Sequence, residues 1–165
     1  MHPNTSDATP PSHPKAQEIQ TSPRVLLAGS PNSGKSTLFN QLTGMRQRVA
    51  NYPGVTVDLS EGKSLIDGQW HQVIDLPGTS SLNTGSPDER IAIDCLTAVD
   101  DQETVMVNVI EAARPNEGLT LAWQMAAFGR PQVIVFNFID EAEKRGLKMD
   151  AEAIASALGC PVVLT

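Results

Sequence analysis

Eight residues constrain this chain more than any others. Gly29-Ser30-Pro31-Asn32-Ser33-Gly34-Lys35-Ser36 has the spacing G-x-x-x-x-G-K-S. It follows a short apolar run, Val25-Leu26-Leu27-Ala28. Such a run suits a strand buried on both faces, as in a parallel sheet. Lys35 to Gln41 follow as a helix, with Leu38, Phe39 and Leu42 on one face and Gly44 as its stop. Glycines let the backbone wrap closely, so its N–H groups can point at phosphate oxygens. The helix aims its positive dipole end at the same anion. Lys35 would neutralise the outer phosphates, and the Ser36 hydroxyl would ligate Mg²⁺.

The rest of the chain reads as strands alternating with helices. Val55, Val57 and Leu59 alternate with Thr56, Asp58 and Ser60, predicting a strand that runs to about Ile66. Asp67-Gly68 is a two-residue hairpin signal, so Trp70 to Ile74 should return antiparallel and end at Asp75. A helix is expected after Pro87, on Ile91, Cys95 and Leu96. Val105–Val109 and Val133–Phe136 read as buried strands, and Leu119 to Phe128 as a helix closed by Gly129. Asp150 is a candidate N-cap for a helix over Ala151–Leu158, with Gly159 behind it and a short strand from Pro161 to Leu164. This alternation predicts an α/β fold: a mostly parallel six-stranded sheet with helices on both faces and one antiparallel hairpin strand. No internal repeat is visible.

Three further segments carry chemistry. Asp75-Leu76-Pro77-Gly78 ends the returning strand; the carboxylate can hold a Mg²⁺ shell, usually through water, and Gly78 can offer its N–H to a γ-phosphate. Thr56, in Asn51-Tyr52-Pro53-Gly54-Val55-Thr56, can reach Mg²⁺ with its hydroxyl and the γ-phosphate with its N–H, which links loop order to that phosphate. Asn137-Phe138-Ile139-Asp140 follows the strand Val133–Phe136 and puts a carboxylate where guanine N1–H and N2–H₂ could both donate to it. Adenine lacks that donor pair. Gly29, Asp75 and Asn137 all fall just past predicted strand ends, the edge where open α/β sheets bind ligands.

Composition excludes several classes. Twelve basic against nineteen acidic residues give a net charge of −7. The first 23 residues contribute only Lys15, Asp7 and Glu18, so the body itself is acidic and unsuited to coating nucleic acid. Those 23 residues hold five prolines and six Ser or Thr, and read as a disordered arm ahead of a domain over 24–165. Cys95 and Cys160 fit neither a disulfide framework nor a zinc site and read as free thiols in a reducing compartment. No apolar run approaches the ~20 residues that cross a bilayer, and no secretory leader is visible, so the expected location of these residues is cytoplasmic.

Taken in order, Gly29–Asn40, Asn51–Val57, Asp75–Gly78 with Ser81-Leu82, and Phe136–Gly159 resemble a P-loop GTPase of the TrmE-Era-like, translation-factor class. More narrowly they resemble the N-terminal G domain of the ferrous iron transport protein B (FeoB) family. The resemblance runs from Arg24 to Thr165.

The resemblance implies a Ras-like G domain that binds GTP and GDP with Mg²⁺ and hydrolyses GTP slowly. Its partners would be a helical domain and a polytopic membrane domain that moves Fe²⁺, at the cytoplasmic face of the bacterial inner membrane, with no nucleic acid; oligomerisation is left open. The implied nucleotide-binding set is Gly29, Ser30, Asn32, Ser33, Gly34, Lys35, Ser36, Thr37, Gly54, Val55, Thr56, Asp75, Gly78, Asn137 and Asp140. Ser36, Thr56 and Asp75 would hold Mg²⁺. Lys35, Thr56 and Gly78 would act in catalysis. Asn32 matches an asparagine linked in that family to a K⁺ ion, a cation that could stabilise charge as the phosphoryl leaves.

Thr79 stands where Ras-like proteins place the glutamine that orients water, and it is too short to copy that role. Ser80 replaces a common aromatic. A fifth motif that contacts guanine should follow Pro161–Thr165, so the domain is expected to be truncated before it. Arg46 and Arg48 are left outside the site. Two rival readings stand beside the first: a soluble ribosome- or tRNA-associated GTPase, and a nucleotide-sensing interaction module with negligible turnover.

Overall fold

In a computed structural model of the chain, the described residues are 22–51, 58–83, 85–97 and 103–165. Seven strands are present: β1 (Arg24–Gly29), β2 (Gln47–Asn51), β3 (Asp58–Ile66), β4 (Gln69–Asp75), β5 (Thr104–Glu111), β6 (Gln132–Asn137) and β7 (Val162–Leu164). Five helices lie among the described residues: α1 (Lys35–Thr43), α2 (Pro87–Thr97), α3 (Pro115–Ala126), α4 (Ile139–Lys144) and α5 (Ala151–Leu158). The sheet order is β2-β3-β4-β1-β5-β6-β7. β1 lies parallel to β4 and β5, and β5, β6 and β7 continue the parallel run. β2 and β3 pair antiparallel. Ile66 faces Gln69 across the two-residue turn, with Asp67 at φ 49° and Gly68 at φ 79°, the double positive φ that turn chemistry demands.

The sheet therefore has seven strands where six were expected. The additional one, β2, has no alternation to announce it. Its backbone pairs with β3 from Gln47↔Gly62 to Asn51↔Asp58, and Val49 stays largely exposed on the edge. Pairing with a neighbour, not propensity, makes this strand. The short helix α4 was also unanticipated. α5 runs as expected: the Asp150 carboxylate accepts from Ala153 N at 3.0 Å, and Gly159 closes it in the left-handed conformation.

Alternate residues of β1 point to opposite faces. Val25 and Leu27 pack with Val73 against Phe39 of α1. Leu26 and Ala28 pack with Ile74 and Met106 against Cys95 and Leu96 of α2 and Leu121 and Met125 of α3. Beyond them, Ile110, Ile134 and Phe136 meet Ala142 of α4 and Ile154 of α5. The core is largely aliphatic, as the 4% aromatic content requires. Burial pushes the Cys95 thiol up to about 12, so it serves as a small apolar filler.

One polar contact fixes α3 on the sheet. Fully buried Asn108 donates from Nδ2 to Gly118 O at 2.9 Å. A Cβ on Gly118 would come within 2.6 Å of the Ile110 side chain, so only glycine permits this approach.

Candidate functional site

Gly29, Asp75 and Asn137 are the last residues of β1, β4 and β6. The parallel arrangement therefore delivers three motifs to one edge of the sheet. The first loop leaves β1 at Gly29, whose φ is +154°. A Cβ there would sit 2.4 Å from the Val109 carbonyl oxygen and 2.9 Å from Ser33 Oγ. Ser33 N donates to Ser30 O at 3.2 Å, and Asn32 takes a left-handed φ of 68° at the tip. Gly34, at φ 90°, opens α1 without a side-chain cap, and no acidic residue lies in the first turn. The leading amides of that helix therefore have no acidic side chain of the first turn to compete with an anion. Ser33 Oγ is buried without a hydrogen-bond partner. A cradle lined by amides, with an unsatisfied hydroxyl inside, fits a phosphate chain.

Lys35 is buried at the floor of this loop. Its Nζ pairs with Asp75 Oδ1 and donates to Leu76 O at 2.6 Å. The lysine thus holds the first two loops together, with an ammonium ready to exchange a carboxylate for a phosphate oxygen. Ser36 and Thr37 are exposed beside it. The Ser36 hydroxyl and the Asp75 carboxylate are hard oxygen donors of the type Mg²⁺ takes.

The second loop hangs along the first. Leu76 N donates to Leu27 O at 3.0 Å and Thr79 N to Gly29 O at 3.1 Å. Gly78 faces Pro31, where a Cβ would find ordinary contact at 3.4 Å, so space does not demand glycine there. Thr79 is buried, and its hydroxyl donates to Ser81 O at 2.7 Å. That local turn occupies the group, so Thr79 does not orient water in this conformation. Ser80 Oγ lies 3.1 Å from Ser30 Oγ and 3.3 Å from the Glu117 carboxylate of α3.

The sequence reading did not anticipate the clamp that ends this loop. Ser86-Pro87-Asp88-Glu89 forms a capping box at the start of α2: Glu89 N donates to Ser86 Oγ at 3.2 Å, and Ser86 N returns to Glu89 Oε2 at 2.9 Å. The same carboxylate accepts from Gly85 N at 2.7 Å and from the Ser81 hydroxyl. The S-x-x-E spacing was the available signal. These donors, the Ser81 hydroxyl foremost, hold the Glu89 carboxyl below its ordinary range. A depressed folded-state value stabilises the fold above the unfolded-state value, and that stability is lost as pH falls through the folded one. Glu89→Gln should therefore flatten part of the acid dependence of stability, as urea midpoints taken from neutral pH down through the carboxylate range would register.

Asn137 ties the third loop to the first. Its Nδ2 donates to Ser33 O at 3.0 Å, while Oδ1 accepts from Phe138 N at 2.9 Å and Thr165 Oγ1 at 3.0 Å. Asp140 lies at the start of α4, exposed, 3.2 Å from Lys144. A cleft of about 610 Å³ is lined by Ser30, Asn32, Lys35, Ser36, Gly78 and Phe138, with Asp88 of α2 on its rim. Asp140 stands apart from that lining. Gly54, Val55 and Thr56 lie outside the described residues. Arg48 sits on β2 and pairs with Glu61. Among the described residues no three His, Cys, Asp or Glu side chains converge on a common point.

The family model for ferrous iron transport protein B, the FeoB N-terminal domain, matches residues 23–165. The chain belongs to the FeoB family. It is 43% identical over 143 residues to the Fe(2+) transporter FeoB of Salmonella typhimurium and 42% identical to that of Escherichia coli K12. Each match covers 84% of this chain and 18% of the relative, so the chain spans less than a fifth of those FeoB proteins. Among solved structures, the G domain of T. maritima FeoB aligns with a TM-score of 0.74 at 40% identity, covering 86% of both chains. The cytosolic domain of that FeoB in its GMPPNP form aligns at 0.77 and 42% identity, covering 86% of this chain and 56% of the other. The FeoB G domain is a nucleotide-binding P-loop fold, and the seven-stranded sheet described above is that fold.

Proposed function

We propose that this chain binds guanine nucleotide and hydrolyses GTP slowly, as the regulatory domain of a ferrous iron transporter. The observation that carries the reading is the Lys35 floor. It joins the phosphate loop to Asp75, while Asn137 joins the same loop to the segment that holds Asp140. Solved relatives in GMPPNP and GDP forms support the choice of ligand.

In this reading, Gly29–Thr37 wrap the phosphates, with Lys35 on the outer ones. Ser36, Asp75 and Thr56 hold Mg²⁺, which would supply charge neutralisation at those oxygens. Gly54, Val55 and Gly78 present backbone N–H groups. Asn32 takes K⁺, and Asp140 reads the guanine edge. Catalysis rests on positioning and electrostatics, because phosphoryl transfer needs little else from the protein. Thr79, at the water-orienting position, spends its hydroxyl on Ser81 O, which favours a slow rate. A helical domain and an Fe²⁺-carrying membrane domain would receive the signal at the cytoplasmic face of the inner membrane. No helix among the described residues is long and apolar enough to cross a membrane.

Phosphate release from GTP, with ATP as control, tests this in potassium and in sodium buffer. GTP turnover that is faster in potassium supports the reading. Nucleotide binding with no turnover in either salt would replace it with a nucleotide-sensing module. Asp140→Asn should weaken GDP by about 10²-fold, since two hydrogen bonds lose their charged acceptor. The same variant should bind xanthosine diphosphate better than the parent does, and competition titrations would show both changes.

A further inference from the structure

A second cavity lies away from the phosphate edge. It measures about 590 Å³ and is lined by the close of α1, by β2 and β3, and by β4, whose second residue is Trp70 and whose last is Asp75. Leu42, Leu65 and Trp70 supply its apolar surface, and Leu65 is 43% exposed. Arg46, Arg48 and Lys63 supply positive charge, against Glu61 as the acidic residue among the described lining. Arg48 pairs with one oxygen of Glu61, and the other accepts from Gln72 Nε2 at 2.8 Å. Both oxygens of that carboxylate are therefore engaged within the wall. The wall keeps a surplus of two positive charges on a chain whose net charge is −7. The nucleotide reading uses none of these residues. An apolar surface beside surplus positive charge complements an acidic segment that also carries an aliphatic side chain.

The chain enters the fold beside this cavity. Pro23 O accepts from Gln72 N at 2.9 Å, and Arg24 Nε donates to Gln72 Oε1 at 3.3 Å. Gln72 lines the cavity, so the chain ahead of β1 departs from its wall. Residues 16–21 there read Ala-Gln-Glu-Ile-Gln-Thr and lie outside the described residues. Ile19 is the one branched aliphatic residue ahead of β1, and acidic Glu18 is its neighbour. They stand four and five residues before Pro23. Extended chain of that length reaches about 13–18 Å. We propose that this cavity is the docking site of segment 16–21, with Ile19 against Leu42, Leu65 and Trp70 and with Glu18 beside Lys63. The short tether gives the segment an effective concentration on the order of mM at the wall, so two side chains suffice where a separate peptide would bind weakly. Burial of Ile19 supplies the attraction, and the charges set which way the segment lies.

Trypsin cleavage after Lys15 of the full chain, followed by mass, tests this. The protease needs the residues beyond the bond in extended form, so the rate tracks the undocked population. Release of the 1–15 fragment should be about 10-fold or more slower than cleavage of a synthetic peptide of residues 10–23, the weight of one buried aliphatic side chain. Leu65→Asp and Lys63→Glu leave the cleaved sequence untouched and should bring the rate back toward that of the peptide. A charge exchange guards against a variant that merely misfolds. In a Trp123→Phe background, which removes the 82% exposed second tryptophan, Lys63→Glu should open Trp70 to acrylamide quenching. Adding Glu18→Lys should close it again. The proposal is overturned if the wild-type chain is cut at the rate of the peptide, which would give the cavity to another molecule. Protection that grows with protein concentration overturns it in favour of a second copy of the chain. It is also overturned if Glu18→Lys leaves Trp70 as open as Lys63→Glu alone.

Discussion

Lys35→Ala should lower guanine-nucleotide affinity by about 10²-fold or more and abolish phosphate release from GTP. A charge-assisted hydrogen bond contributes about 1.5–3 kcal/mol, and this lysine would make more than one to a phosphate chain. The variant also removes the counter-charge of Asp75, whose side chain is only 15% exposed. An acid left unpaired at such a site destabilises the fold. Two effects would then be mixed in one measurement. Adding Asp75→Asn separates them. The double variant should regain most of the urea midpoint lost by Lys35→Ala and none of the nucleotide affinity. Recovery of affinity in the double variant would show that Lys35 acts by neutralising the Asp75 carboxylate and not by meeting phosphate.

Gly29→Ala is the second large effect. Its Cβ would collide with the Val109 carbonyl oxygen at 2.4 Å, and a backbone atom in the neighbouring strand cannot rotate away. Gly29 and Val109 are register partners, so relief requires β1 and β5 to separate where the phosphate loop begins. Strain of about 1–3 kcal/mol at an unfavourable φ adds to about 1–3 kcal/mol for overpacking. A loss near 3 kcal/mol would lower the melting temperature by about 10 °C for a chain of this size. Calorimetry would show that fall, and GDP titration below the transition would show weakened binding from the displaced loop. Gly78→Ala is the contrasting control, because an alanine at 78 meets Pro31 only at contact distance.

Much of the site was legible before any fold was seen. The G-x-x-x-x-G-K-S spacing, the Asp75 and Asn137 motifs and their order are covalent facts, and each follows a segment whose pattern suits a strand. Asp67-Gly68 and Asp150 were readable for the same reason: turn and cap chemistry are local. The strand β2 was not, since residues Gln47–Asn51 carry no pattern of their own and become a strand only because β3 offers them an edge. Thr79 was read as a doubtful water-orienting residue, and the structure turns its hydroxyl to Ser81. Asn137 was assigned to the base-reading motif, and it proves also to be the staple to Ser33, 104 residues earlier.

The sequence by itself determined which residue types stand in which motifs, in what order, and that strands alternate with helices. Local spacing and hydrophobic period are sufficient for that, because they depend on neighbours along the chain. Only the tertiary structure decided how those groups are joined: Lys35 to Asp75, Asn137 to the phosphate loop, and Ser81 to Glu89. These contacts cross between 8 and 104 residues, and their distances are set by the register of a parallel sheet and by side chains that close packing leaves a single place to go.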